Sequence, residues 1–320
     1  MSRPRVALTQ RYTPATEARA RELFEVTDNP GDTPYDADGL RMLLATHDGV
    51  LCTVTDRLTR EVLAVTPRRA RVLANCGVGV NHIDREAARE FGLIVTNTPD
   101  VLTDDTADLA IALMLMTMRR LGEAERLLRS GTWTGLRPTF HLGQRLTGKR
   151  LGIIGYGRIG RAVAQRAHHG FGMSVQYWSP RAGADDGGLA ERATSVEALL
   201  GSSDVVSLHC PATPDTRHLL HADRIARMVP WGVLINTARG DVVDEGALAE
   251  ALHAGVIAGA GLDVYEREPA LHPRLVTAPN TVLLPHLGSA TTETRDAMGL
   301  KAVENLRAAL SGEAPPDRVA

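Results

Sequence analysis

The chain has 320 residues, with 36 Lys+Arg against 38 Asp+Glu and a formal charge of -2. That length suits about two domains, each with its own core, and near-neutrality gives no general attraction to nucleic acid or to an anionic membrane. Cys52, Cys76 and Cys210 are odd in number and scattered, without metal-ligand spacing or a disulfide framework, so reduced cytoplasmic thiols and no metal site are expected. The N-terminal apolar run is too short for a signal peptide, and the longest apolar stretch, 107–118, carries Asp108 and falls short of the roughly 20 residues of a membrane span. Lysine occurs only at 149 and 301, and Gly148-Lys149 is followed by Arg150, which excludes a P-loop.

In the first hundred residues short apolar runs alternate with helical spacing. Segments 5–9, 49–54, 71–76 and 93–96 read as strands and 16–24, 38–45 and 84–91 as helices. Such alternation predicts an α/β fold with a parallel sheet covered on both faces. Asn75-Cys76-Gly77-Val78-Gly79-Val80-Asn81 falls where a strand should end before a helix begins. Glycines there can expose backbone N–H groups to an anion, and Val78 and Gly79 are candidates to bind a carboxylate; the alternative is a loop serving only the turn.

Asn97-Thr98-Pro99-Asp100 reads as a linker, because proline ends the strand and helical spacing follows. A helix over 103–121 is apolar on nearly all sides and so is buried, either under its own domain or against a second subunit. A polar loop with Trp133, Arg137 and Phe140 leads to the run 151–154, which ends in Gly155-Tyr156-Gly157-Arg158-Ile159-Gly160. Strand, glycine turn and helix together fit a dinucleotide pyrophosphate. Gly155 makes the turn, Gly157 lets backbone approach the phosphates and Gly160 lets the helix pack closely.

Segment 173–178 predicts the next strand. Where NAD selectivity would place Asp or Glu, about 20 residues past the glycines, this chain has Ser179-Pro180-Arg181. A hydroxyl and a guanidinium suit a 2′-phosphate, and Arg158 lies within reach of the same group, so NADP(H) is preferred, with NAD(H) possible; otherwise Arg181 is a solvated surface charge. Further strands at 204–208, 233–236, 257–262 and 281–284 each end in small or polar residues. A last amphipathic helix covers 292–310, and the Pro-containing tail after Gly312 is expected to fray. The domains are therefore 1–100 with 290–320, and 101–289.

Reducing a 2-oxo acid requires a cation for the carboxylate, a proton donor for the oxygen and a group that keeps that donor charged. Arg239, His286 and Glu268 lie on three strand-end loops and offer these roles; singly, each also reads as an exposed arginine, a turn histidine and a helix-start glutamate.

Four segments, 155–160, Asn236-Thr237-Ala238-Arg239-Gly240, Gly261-Leu262-Asp263-Val264-Tyr265-Glu266-Arg267-Glu268-Pro269 and Leu284-Pro285-His286-Leu287-Gly288-Ser289, resemble in order and spacing the motif series of the D-isomer-specific 2-hydroxyacid dehydrogenases. With 75–84 the likeness spans nearly the whole chain. The resemblance implies two Rossmann-like α/β domains with parallel sheets: a flavodoxin-like substrate domain and a dinucleotide-binding domain. It implies catalytic Arg239, Glu268 and His286, and an Asp263 that holds the nicotinamide amide. Cofactor contacts are implied at Thr106, Arg158, Ile159, Ser179, Pro180, Arg181, Pro211, Thr216, Thr237, Ala238, Arg239, His286 and Gly288 besides the three glycines of the turn. The substrate carboxylate is implied to meet Val78, Gly79 and Arg239.

Within the family the chain looks most like glyoxylate/hydroxypyruvate reductases, also called D-glycerate dehydrogenases, and a homodimer is implied. Leu136 departs from the second aromatic common after a tryptophan like Trp133, and Pro180 stands where NADP-preferring members often have arginine. Phosphoglycerate or phosphite oxidation, or a non-catalytic dinucleotide sensor, are the alternative functions; formate oxidation fits less well because Glu268 stands where that group has glutamine.

Overall fold

A computed structural model describes residues 3–181 and 187–320. The chain divides into two compact units, Met1–Leu102 with Ala290–Ala320, and Thr103–Ser289.

The first unit is a five-stranded parallel sheet in the order β2-β1-β3-β4-β5. Its strands are β1 (Arg5–Leu8), β2 (Glu25–Thr27), β3 (Gly49–Cys52), β4 (Val72–Asn75) and β5 (Ile94–Thr96). Helices α1 (Pro14–Leu23), α2 (Ala37–Thr46), α3 (Arg60–Leu63) and α4 (Arg85–Glu90) connect them. Residues with side-chain oxygens start three of these: Thr13, Asp36 and Asp84 accept from Thr16 N, Gly39 N and Ala87 N respectively. Every residue of β3 and β4 is buried, which is why these strands read as continuous apolar runs rather than alternating ones.

The second unit holds a seven-stranded parallel sheet in the order β12-β11-β10-β9-β6-β7-β8. The strands are β6 (Arg150–Ile154), β7 (Ser174–Trp178), β8 (Glu191–Arg192), β9 (Val205–Leu208), β10 (Val233–Asn236), β11 (Gly259–Leu262) and β12 (Thr281–Leu283). Around them lie α5 (Thr103–Met118), α6 (Leu121–Arg129), α7 (Arg158–Phe171), α8 (Val196–Ser202), α9 (Ala222–Ile225), α10 (Glu245–His253) and α11 (Pro273–Val276). The chain winds outward from β6 through β7 to β8, then restarts at β9 on the other side of β6. That reversal makes the ends of β6 and β9 the topological switch point, where open α/β sheets bind ligands.

The all-round apolar helix is α5. It packs against α7, β10 and β11 within its own unit, with Leu113 and Met114 fully buried. The last helix, α12 (Thr292–Ser311), packs on α1, β3, β4 and β5 of the first unit.

One local expectation fails. The tail after Gly312 is held rather than frayed: Val319 N donates to Val95 O, Val95 N to Ala320 O, and the Ala320 side chain is buried in the core beside β5. Between α5 and the polar loop lies α6, whose apolar residues have helical spacing, and none of its residues is buried among the described residues.

Candidate active site

Because all strands of the second unit run parallel, the loops after β6, β7, β9, β10, β11 and β12 share one edge of its sheet. The glycine turn opens that edge. Gly155 has φ +96, and a Cβ there would press on the Cys210 backbone, so only glycine fits. Gly160 packs against the Gly155 carbonyl in the first turn of α7, beside half-buried Ile159. Gly157 differs from both: it caps α7 with no side-chain hydrogen bond, and a Cβ placed on it would meet nothing within 4 Å. Packing does not demand this glycine, and the open space lies before uncapped helix N–H groups. A pyrophosphate fits there, and the turn can therefore hold a dinucleotide.

At the end of β7, Ser179 is half-buried while Pro180 and Arg181 are exposed. Arg158, the first residue of α7, is exposed as well. A further cation joins this corner: Arg192 of β8 donates to the Ser179 and Pro180 carbonyls at 3.0 and 3.4 Å. Nothing in the sequence pattern marks Arg192, because pairing of β8 with β7 brings it there.

The loop after β9 carries His209, Cys210 and Pro211. The Thr216 hydroxyl donates to Pro211 O at 2.6 Å and accepts from Thr213 N at 2.8 Å, so it staples its own loop. Burial pushes His209 down to about 3, leaving it neutral, and its ring lies 2.8 Å from Ser207 Oγ and 3.5 Å from Thr237 Oγ1.

After β10, Asn236 fastens the turn that carries Thr237, Ala238 and Arg239. Its Oδ1 accepts from Ala238 N at 3.0 Å and its Nδ2 donates to Arg239 O at 2.9 Å. Next comes Gly240, where any Cβ would overlap the Tyr265 backbone. That close approach sets Arg239 beside the loop following β11. Burial lowers the Arg239 pKa, and the charge of Glu268 opposes the shift.

Glu268 Oε1 accepts from Tyr265 N at 3.0 Å, and Glu268 Oε2 accepts from His286 Nδ1 at 2.8 Å. Burial disfavours the Glu268 carboxylate, but the hydrogen bond and charge of His286 outweigh it, and the net shift is downward. The His286–Glu268 contact thus engages Nδ1 of the ring.

His286 itself sits in the left-handed region at φ +56. Asp263 holds it there: Asp263 O accepts from His286 N at 2.9 Å, Oδ1 from Leu287 N at 2.6 Å and Oδ2 from Gly288 N at 2.8 Å. Expected to bind a nicotinamide amide, this carboxylate thus already serves as a clamp on the loop of His286. Gly288 O accepts in turn from Thr106 Oγ1 at 2.8 Å.

Val78 and Gly79 belong to the first unit, half-buried in the loop after β4. Among the described residues, no group of three or more His, Cys, Asp or Glu is arranged to hold a metal, and no helix is long and apolar enough to cross a membrane.

The family description "D-isomer specific 2-hydroxyacid dehydrogenase, NAD binding domain" matches residues 111–288. A glyoxylate reductase of Thermococcus litoralis is 46% identical over 277 residues, covering 85% of this chain and 83% of the relative. A solved D-isomer specific 2-hydroxyacid dehydrogenase from Polaromonas sp. JS6 66 superposes with a TM-score of 0.92 at 39% identity, over 99% of this chain and 100% of that one. The NADPH-dependent glyoxylate/hydroxypyruvate reductase of Sinorhizobium meliloti, solved with NADP and malonate, gives 0.88 at 37% identity, over 100% and 97%. With its glycine turn, its paired histidine and glutamate and its neighbouring arginine, the chain belongs to the D-isomer specific 2-hydroxyacid dehydrogenase family and is an oxidoreductase that reduces 2-oxo acids with NAD(P)H.

Proposed function

We propose that the protein is a cytoplasmic, NADPH-preferring reductase of glyoxylate and hydroxypyruvate that yields D-2-hydroxy acids. The observation that carries the chemistry is the 2.8 Å contact between His286 and Glu268, with the Arg239 guanidinium beside it. The unit Thr103–Ser289 acts as the dinucleotide-binding domain and the other as the substrate domain.

The cofactor, when bound, supplies a hydride to the substrate's carbonyl carbon. Arg239 binds the carboxylate through its two-pronged fork and polarises the carbonyl. In the substrate domain, the Val78 and Gly79 N–H groups donate to a substrate carboxylate. His286 delivers a proton to the developing alkoxide, and Glu268 keeps the imidazole charged until that moment. Gly155, Gly157 and Gly160 seat the pyrophosphate, while Asp263, Thr106, Pro211, Thr216, Thr237, Ala238 and Gly288 line the remainder of the cofactor's path.

Preference for the phosphorylated cofactor is supported by the absence of a carboxylate at 179–181 and by the exposed guanidinium of Arg181, with Arg158 at the helix start and Arg192 bracing the loop. The relative from S. meliloti, named NADPH-dependent, points the same way. Initial rates with NADPH and NADH against glyoxylate, hydroxypyruvate, pyruvate and phenylpyruvate test both parts. NADPH with the first two should be fastest. Clear NADH preference would overturn the phosphate reading, and inactivity on glyoxylate and hydroxypyruvate would overturn the substrate class.

A homodimer is supported by α6 and the loop after it. No residue of α6 is buried, Leu128 is 63% exposed and Leu136 88%, and Trp133, Phe140 and Leu142 are exposed beside them in the sequence. A second copy of the same face would cover such a concentration of apolar surface. Light scattering should report twice the chain mass, and a monomer at micromolar concentration would refute it.

A further inference from the structure

Backbone amides bind an anion only if something turns them toward it, and Val78 and Gly79 carry no side chain that could do so. We infer that Asn75 and Asn97 are positioning residues that aim the Val78 and Gly79 N–H groups into a two-donor cradle for the substrate carboxylate; this rests on the function proposed above.

In a planar trans peptide the carbonyl and the following N–H point in opposite directions. Fixing one carbonyl therefore fixes the next donor. Gly77 O accepts from Asn75 Nδ2 at 2.9 Å and from Thr98 N at 3.1 Å, which turns Val78 N–H the other way. Val78 O accepts from Asn97 Nδ2 at 2.9 Å, which does the same to Gly79 N–H. The second hydrogen of Asn75 Nδ2 reaches Gly79 O at 3.0 Å and closes the loop on itself. Three consecutive carbonyls are thus held by two side-chain amides. Among the described residues, the Val78 and Gly79 N–H groups have no acceptor of their own.

The choice of residue fits the task. Asn75 is 1% exposed and its Oδ1 accepts nothing, so the side chain contributes by donation alone, which aspartate cannot do. Asn97 is anchored from behind: its N–H donates to Asp317 O at 3.2 Å and its carbonyl accepts from Asn305 Nδ2 at 3.3 Å, with Asn305 fully buried. The hydrogen-bonded tail and α12 therefore help hold the cradle's geometry.

Asn75→Ala and Asn97→Ala test the role by titrating oxalate, a carboxylate that cannot be reduced, onto the enzyme with NADPH bound, and by measuring glyoxylate kinetics. Releasing either carbonyl should raise the oxalate Kd and the glyoxylate KM about tenfold, with kcat changed less than about threefold and NADPH affinity unchanged. Oxalate affinity retained in Asn97→Ala, the less buried of the two positions, would overturn the inference even if Asn75→Ala fails to fold. So would a fall in kcat with KM unchanged, or a wild-type enzyme that binds no oxalate. A wild type that binds oxalate but reduces no 2-oxo acid would overturn the functional reading and leave the cradle standing.

Discussion

Replacing Glu268 with glutamine keeps the shape of the pair with His286 and removes its charge. Opposite charges about 3 Å apart attract by roughly 5 kcal/mol at an effective dielectric near 20. The two side chains are 31% and 32% exposed, however, and solvent screening reduces the effect of such a pair to on the order of 1 kcal/mol. On that scale the variant should lose roughly fivefold in kcat/KM for glyoxylate wherever the wild-type Glu268 is ionised. Glu268 is shifted downward, so the contribution of its charge is complete above the ordinary glutamate range and is lost as pH falls through its lowered folded value. The assay is kcat/KM for glyoxylate across the pH range with NADPH saturating. Equal kcat/KM for Glu268→Gln and wild type above the glutamate range would refute the argument, as would a loss of equal size at every pH.

The remaining predictions concern the loop after β10. Arg239→Ala should lower kcat/KM by about 100- to 1,000-fold through loss of paired charged hydrogen bonds, with NADPH affinity within about threefold of wild type. Arg239→Lys keeps the charge without the fork and should recover only about a tenth of the loss on a logarithmic scale; full recovery would mean that charge alone suffices. Gly240→Ala places a methyl group on the Tyr265 backbone and should cost at least about 3 kcal/mol, a fall of roughly 6–12 °C in melting temperature. Calorimetry that found wild-type stability would show that the two loops can separate freely.

The parallel sheets were legible because buried strands leave a period-free apolar run bounded by turn residues, as in β3 and β4, and because the loops that follow carry chemistry-bearing residues. Short elements were not. β2 and β8 span three and two residues, too few to establish a period, and each exists because a neighbouring strand offers a pairing edge. The same pairing sets Arg192 beside Ser179 and Pro180, a fact about distance in space that sequence separation conceals. The tail misled for a similar reason: proline and charge read as solvated chain, yet Val319 and Ala320 pair with Val95. Among the candidate site residues, the motifs named Arg239, Glu268 and His286, of which the structure pairs the last two, but Asp263 and Asn236 bond to backbone atoms, contacts that no side-chain pattern reveals.

Those backbone clamps share a logic. Asn75, Asn236 and Asp263 stand at the last residue of β4, the last of β10 and the first after β11, and each is 1% exposed. Burying a polar side chain is costly unless it is hydrogen-bonded, and each of the three makes two hydrogen bonds to the backbone of a strand-end loop. The residue type follows from what that loop presents. Carbonyls alone face Asn75, which donates twice; one N–H and one carbonyl face Asn236, which accepts and donates; two N–H groups face Asp263, which accepts twice as a carboxylate. Exchanging Asn for Asp at any of the three would set donor against donor or acceptor against acceptor in a dry site. The groups so held are the Val78 and Gly79 amides in one unit and Arg239 and His286 in the other, the ones to which the proposed function assigns carboxylate binding and proton delivery.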